Sequence, residues 1–258
     1  MKEIKGIAFF DLDGTLLDGH SKITKEIANS MQELYRNHVI PVIATGRTNL
    51  EITSILNQTG IKSSVTMNGQ VVTYEGERIF SDTFSKDACL KLHQKTQELG
   101  QELAFYNPNN IYLSGYSDAA KKCYSYINSG LPPLDPTFYE HQDVNMMLII
   151  GEDQDEQYHQ ALPDFTYFRN GPFAIDVIKK GNSKGTGVKQ FLKNSGLEGV
   201  PTYAFGDGPN DLDLFHACDY KIAMGNAVEH LKDIATFVTK KNTDGGIIHG
   251  LKHYQLLD

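Results

Sequence analysis

The stretch IAFFDLDGTLL, residues 7–17, decides the fold. The apolar run Ile4–Phe10 does not alternate with polar residues. A short run of that kind predicts a strand buried on both faces, as inside a parallel sheet. Two acids, Asp11 and Asp13, follow at once, and Gly14 comes next. In open α/β sheets ligands bind beyond the carboxyl ends of the strands. Like charges at such a place repel one another unless a cation sits among them.

Outward from this stretch the pattern alternates. Helices are predicted over 24–38 and 48–59, the second opening on a Thr48-x-x-Glu51 capping box. Strands are predicted over 39–44 and 64–67, then a hairpin of 71–74 and 78–80 around Glu75-Gly76. The C-terminal part repeats the alternation: helix 183–194, strand 202–205, helix 209–217, strand 220–224, helix 228–234, strand 236–239. These repeats predict an α/β fold, a doubly wound parallel sheet covered by helices on both faces. The middle reads differently. Helices 86–99, 117–128 and 156–162 mix with strands 102–106, 111–113, 144–150, 166–169 and 174–178. We therefore expect a core of residues 1–82 and 181–258, and an inserted α+β cap of residues 83–180. Two chain crossings between them would make a hinge.

Bulk properties narrow the class. The chain has 258 residues and a formal net charge of −8, which argues against nucleic acid and anionic membranes as partners. Three scattered cysteines form no C-x-x-C pair, and no apolar run reaches a membrane span. A cytoplasmic location is expected; oligomeric state is not legible.

Four stretches fall at strand ends: Asp11–Leu16, Ala44–Arg47, Lys180–Gly185 and Gly206–Asp211. Each mixes glycine with charged or hydroxyl side chains, which suits close backbone approach to an anion. Asp11, Asp13, Asp207 and Asp211 bring only oxygen ligands, with no Cys or His beside them. Hard oxygen ligands point to Mg²⁺ rather than zinc.

The DLDGTL stretch resembles the signature of the haloacid dehalogenase superfamily. Thr45, Lys184 and the pair Asp207/Asp211 match its second, third and fourth motifs. The large insert resembles the cap of subclass IIB. Asn68-Gly69, Met224-Gly-Asn-Ala227 and Asp244-Gly-Gly246 resemble the Cof-type phosphatases. The resemblance implies a Mg²⁺-dependent phosphatase acting on a small phosphate ester through an aspartyl phosphate. It implies Asp11 as nucleophile and Asp13 as general acid and base. Leu12, Thr45, Gly46, Lys184 and Asn210 would hold the phosphoryl group. Asp11, Asp207 and the Asp13 carbonyl would bind the metal, with Asp211 behind them orienting Lys184 or water.

Two other readings stand beside it: a phosphomutase of the same fold, and a phospho-accepting signalling module. Receiver modules of the latter kind are about half as long and lack an insert. Arg47 reads equally as a substrate contact or a surface ion pair. His249 and His253, four apart on the last helix, read as structural. Within the insert, residues 105–110, 145–147 and Arg169 are candidates to face a substrate.

Overall fold

Ile7, Ala8, Phe9 and Phe10 are wholly buried in the computed structural model, which describes residues 3–127, 129–169 and 171–257. The elements of the first part are β1 (Gly6–Phe10), α1 (Lys25–Arg36), β2 (Val39–Ala44), α2 (Asn49–Thr59), β3 (Ser63–Thr66), β4 (Val71–Tyr74) and β5 (Glu77–Ser81). The insert adds α3 (Lys86–Glu98), β6 (Glu102–Tyr106), β7 (Ile111–Leu113), α4 (Asp118–Tyr126), α5 (Phe138–His141), β8 (Met146–Ile150), α6 (Asp155–Ala161), β9 (Phe165–Arg169) and β10 (Ala174–Lys179). The last part holds α7 (Lys184–Ser195), β11 (Thr202–Gly206), α8 (Leu212–His216), β12 (Tyr220–Ala223), α9 (Glu229–Asp233), β13 (Phe237–Val238) and α10 (Gly246–His253).

The first and last parts share one sheet, in the order β13-β12-β11-β1-β2-β3-β4-β5. The pairs from β13 through β3 are parallel, and β4 returns antiparallel to β3. Burial on both faces explains the uninterrupted apolar run of β1. Successive side chains leave a strand on opposite faces. Phe9 meets Phe191 of α7 edge-on, with ring centroids 5.5 Å apart. Phe10 stacks on Phe205 at 4.9 Å, and the Phe205 ring lies against Gly250 of α10. Helices thus cover both faces. Each buried aromatic contributes about 1.5–3 kcal/mol from area alone.

Register positions the site. Phe10 pairs with Ile43 of β2 and with Phe205 of β11. The three strands therefore end nearly abreast, and their next residues, Asp11, Thr45 and Asp207, emerge at one edge.

The chain divides into two compact units, Met1–Arg47 with Glu51–Phe80 and Ser183–Asp258, and Thr48–Leu50 with Ser81–Asn182. The second unit has its own antiparallel sheet, β7-β6-β8-β10-β9. One face of it carries Phe105, Met147, Ile149, Ile175 and Val177 against Leu92, Phe138 and Tyr158 of its helices. Asp82 accepts bonds from Lys179 Nζ at 2.6 Å and Asn182 Nδ2 at 2.7 Å, tying together the two segments where this unit begins and ends.

Several elements differ from the sequence expectation for local reasons. The helix expected over 209–217 is a 3-10 turn, Pro209–Asp211, followed by α8. Asp211 Oδ2 accepts the backbone N–H groups of Asp207 and Gly208, and this tight turn displaces a regular first helical turn. The strand expected to reach Met67 stops at Thr66, because Met67 and Asn68 take left-handed φ of 50° and 52°. The helix expected to His38 ends at Arg36, and His38 has φ 63°. The helix expected to Asn128 ends at Tyr126; Asn128 lies outside the described residues. The four-residue helix Phe138–His141 is too short to leave a periodic signal in sequence.

Candidate active site

Asp11 opens a tight turn. Its carbonyl accepts Leu16 N–H at 3.1 Å, and Leu12 C=O accepts Leu17 N–H at 2.9 Å. Gly14 has φ 79°, a left-handed value that favours glycine. A Cβ at Gly14 would also stand 2.3 Å from Asp207 Oδ2, so glycine lets the turn close on Asp207.

Lys184 is the first residue of α7, placed there by a complete capping box. Ser183 Oγ accepts Thr186 N–H at 3.3 Å, and Thr186 Oγ1 accepts Ser183 N–H at 2.8 Å. Glycines let this first turn pack tightly: a Cβ at Gly185 would meet the Asp213 carbonyl at 2.1 Å. The ammonium of Lys184 is fully buried and donates to Asp11 Oδ1 at 2.6 Å and Asp211 Oδ1 at 2.7 Å. Asp211 is thereby used on both oxygens, with the lysine on one and two backbone N–H groups on the other.

Asp207 Oδ1 accepts the Thr15 hydroxyl at 2.9 Å, and its Oδ2 accepts Asn226 Nδ2 at 3.3 Å. Asp13 stands apart. Its exposed carboxylate is gripped by both ends of the Arg47 guanidinium, with Nε to Oδ2 at 2.9 Å and Nη2 to Oδ1. Arg47, which the sequence leaves open between two roles, is thus an Asp13 partner here. Thr45 is buried, and its Oγ1 accepts Arg47 N–H at 3.1 Å, which leaves its hydroxyl proton to donate elsewhere. Thr45 C=O accepts Asn68 N–H, and Arg47 C=O accepts Met67 N–H, so the left-handed turn after β3 holds this loop. Leu12 is buried within the Asp11 turn, Gly46 lies between Thr45 and Arg47, and Asn210 sits half-buried in the turn that ends at Asp211.

The electrostatics are unbalanced. Burial pushes the Asp11 carboxyl up to about 8, with Lys184 opposing and Asp211 and Asp207 adding to the rise. Burial also lifts Asp207 to about 6, against the Thr15 hydrogen bond. Burial works against the Lys184 charge, yet Asp11 and Asp211 outweigh it and hold the ammonium above its ordinary range. With all three carboxylates ionised, one ammonium would leave two negative charges, and the raised Asp11 and Asp207 carboxyls register that excess, while Asp13 and Arg47 cancel. One oxygen from each of Asp11, Asp207 and Asp211 lies within 4.8 Å of the others. An all-oxygen set of this spacing and charge fits a hard divalent cation. Asp211 accepts an ammonium and two backbone N–H groups, whereas Asp207 accepts one uncharged donor on each oxygen and Asp11 accepts the ammonium on Oδ1, so Asp11 and Asp207 keep more acceptor capacity for a cation.

Sequence reasoning assigned no part to Thr15 or Asn226, although both lie in motifs already singled out. In the insert, Phe105 and Tyr106 are core residues, Asn145 bonds Ser81 and the Asp82 carbonyl, and Arg169 is bound to Asp155 and the Gly151 carbonyl. Each of these side chains thus has partners or packing within its own unit.

Comparison with known proteins agrees with the motifs. Residues 8–251 match the haloacid dehalogenase-like hydrolases, and the chain belongs to that family. YkrA of Bacillus subtilis strain 168 is 31% identical, over 97% of this chain and 98% of that protein. YwpJ of the same organism, named a phosphatase, is 28% identical over 94% and 97%. The crystal structure of a hypothetical protein from Geobacillus kaustophilus HTA426 matches with a TM-score of 0.91 at 32% identity, covering 97% of this chain and 99% of that one. Among the described residues no helix is long and apolar enough to cross a membrane.

Proposed function

We propose that the protein is a Mg²⁺-dependent phosphatase that hydrolyses a small phosphorylated metabolite through an aspartyl phosphate on Asp11. One observation carries this reading. A buried lysine bridges Asp11 and Asp211 beside Asp207, so one cation faces three clustered carboxyl groups, two of them pushed up by burial and by each other. A structural ion-pair network would be expected to balance.

Asp11, Asp207 and the Asp13 carbonyl would hold Mg²⁺, which when bound offsets the carboxylate charge and polarises a phosphate oxygen. The chain's own residues supply the rest. In its ionised form, which Lys184 favours and a bound cation would favour further, Asp11 needs no base to become a nucleophile. Asp11 attacks phosphorus, the ester P–O bond breaks, and Asp13 gives its proton to the leaving alkoxide. Asp13 then takes a proton from the water that attacks the aspartyl phosphate. Inorganic phosphate leaves and Asp11 is regenerated. Lys184, the Thr45 hydroxyl, Asn210 and the N–H groups of Leu12 and Gly46 stabilise charge on the transferring group. To act as an acid, Asp13 must give up at least one bond to Arg47. Arg47 therefore sets where that carboxyl starts. The inserted unit is assigned selection of the leaving group.

The test is a screen of phosphorylated metabolites with Mg²⁺, repeated in EDTA and with Asp11→Asn. Hydrolysis that needs both the metal and Asp11 is expected. Turnover indifferent to chelation, or retained by Asp11→Asn, overturns the proposal.

A further inference from the structure

Asp207 is held on both oxygens by uncharged donors, and the Asn226 side of that grip reaches well beyond the turn. Asn226 Nδ2 donates to Gly14 C=O at 2.8 Å and to Asp207 Oδ2 at 3.3 Å. Its Oδ1 accepts Asn242 N–H at 3.0 Å. That bond settles which end of the carboxamide is which: the oxygen must face the N–H, so the amino group must face the two acceptors. Asn242 in turn donates through Nδ2 to Leu17 C=O at 2.9 Å, at the far end of the Asp11 turn.

The backbone repeats the arrangement. Val228 N–H donates to Asp207 C=O at 3.0 Å, and Gly225 N–H donates to Lys240 C=O at 2.9 Å. A Cβ at Gly225 would stand 2.7 Å from Lys241 N, so the turn carrying Asn226 is pressed onto the C-terminal loop. Asn226 therefore joins three segments distant in sequence: the Asp11 turn, the end of β11, and the loop 240–246.

The chemistry of the donor matters. An ammonium or guanidinium at this point would orient Asp207 but cancel its charge. A carboxamide fixes the carboxylate and leaves the charge for a cation. Partners that orient metal-ligating carboxylates typically change metal affinity ~10–100-fold when removed.

We propose that Asn226, braced by Asn242, is a positioning residue that sets the Asp207 carboxylate and the Gly14 peptide for binding a divalent cation. The inference rests on the reading of this site as a Mg²⁺ centre. It is tested by calorimetric titration of Mg²⁺ into the substrate-free full chain, comparing wild type with Asn226→Ala. The expected result is a Mg²⁺ Kd raised roughly 10–100-fold, with an unchanged circular dichroism spectrum and a metal-free Tm lower by a few degrees at most. Should Asn226→Ala not fold, Asn226→Ser carries the same test with a smaller rise, because the shorter hydroxyl cannot reach both acceptors. A folded variant whose Kd stays within about twofold of wild type overturns the inference, and so does a lower metal-free Tm with unchanged Kd. Wild type that takes up no Mg²⁺ at millimolar concentration instead overturns the metal reading itself, and this inference with it.

Discussion

Replacing Lys184 by Met tests the charge arrangement directly. The ammonium lies 2.6 Å from Asp11 and 2.7 Å from Asp211, with side-chain exposures of 0% for the lysine, 9% for Asp11 and 0% for Asp211. Methionine keeps most of the volume, so the loss is chiefly electrostatic. Breaking a buried ion pair from one side costs about 3–5 kcal/mol, because the remaining charge is stranded. Here one cation serves two carboxylates, which places the cost toward the upper end. At about 2–4 °C per kcal/mol for a protein of this size, Tm should fall by roughly 10–15 °C at pH 8. The sign with pH follows from which groups change protonation. The folded-state pKa of Lys184 is raised, so the lysine keeps its proton throughout pH 5 to 8, but its partner Asp11, raised to about 8, is neutral at pH 5 and ionises toward pH 8. The variant loses an ion pair that is only partly formed at pH 5 and fuller at pH 8. The deficit should therefore be smaller at pH 5 than at pH 8. Scanning calorimetry of both proteins in EDTA at the two pH values provides the measurement, and Mg²⁺ at pH 8 should restore part of the loss. A deficit below about 2 °C, or one equal at both pH values, refutes the reasoning.

Other outcomes follow from the same geometry. In metal-free wild type, burial raises Asp11 to about 8 and Asp207 to about 6, so at these two sites the native state holds more protons than the unfolded chain above pH 3.8, and this outweighs the opposing shift of His93. Stability without metal should therefore fall as pH rises from about 4 to 8, and saturating Mg²⁺ should flatten the trend, as thermal melts in EDTA and in Mg²⁺ can show. Gly14→Ala should cost about 1–2 kcal/mol from its left-handed φ alone, read by urea denaturation, and should abolish turnover by displacing Asp207; normal activity in the folded variant would contradict this. Asp13→Ala should slow hydrolysis of alkyl phosphates by about 10²–10⁴ and aryl phosphates with good leaving groups much less. Equal losses on both would argue against the acid role. Arg47→Lys breaks the two-pronged grip on the exposed Asp13 carboxylate, so stability should move by less than about 1 kcal/mol while the lost placement of the acid lowers alkyl phosphate turnover.

Much of this protein is legible locally. The unbroken apolar run of β1, the Ser183 cap and the Glu75-Gly76 hairpin are each properties of a few neighbouring residues, and the structure has a strand, a helix start and a hairpin turn there. The parallel sheet follows from repeated strand–helix alternation, because parallel neighbours need a crossover between them. Local reading failed where a side chain or an unusual φ ended an element, as at Asp211 and at Met67-Asn68.

The sequence by itself determined the fold class, the family and the short motifs that hold the acids. Only the tertiary structure decided which partner each acid takes. Lys184 and Asp11 are 173 residues apart, Thr15 and Asp207 are 192, and Asn226 and Gly14 are 212. No periodicity or turn preference spans such distances. These pairings arise because β1, β2 and β11 are held in register by backbone hydrogen bonds and end together, so that loops distant in the chain share one rim of the sheet.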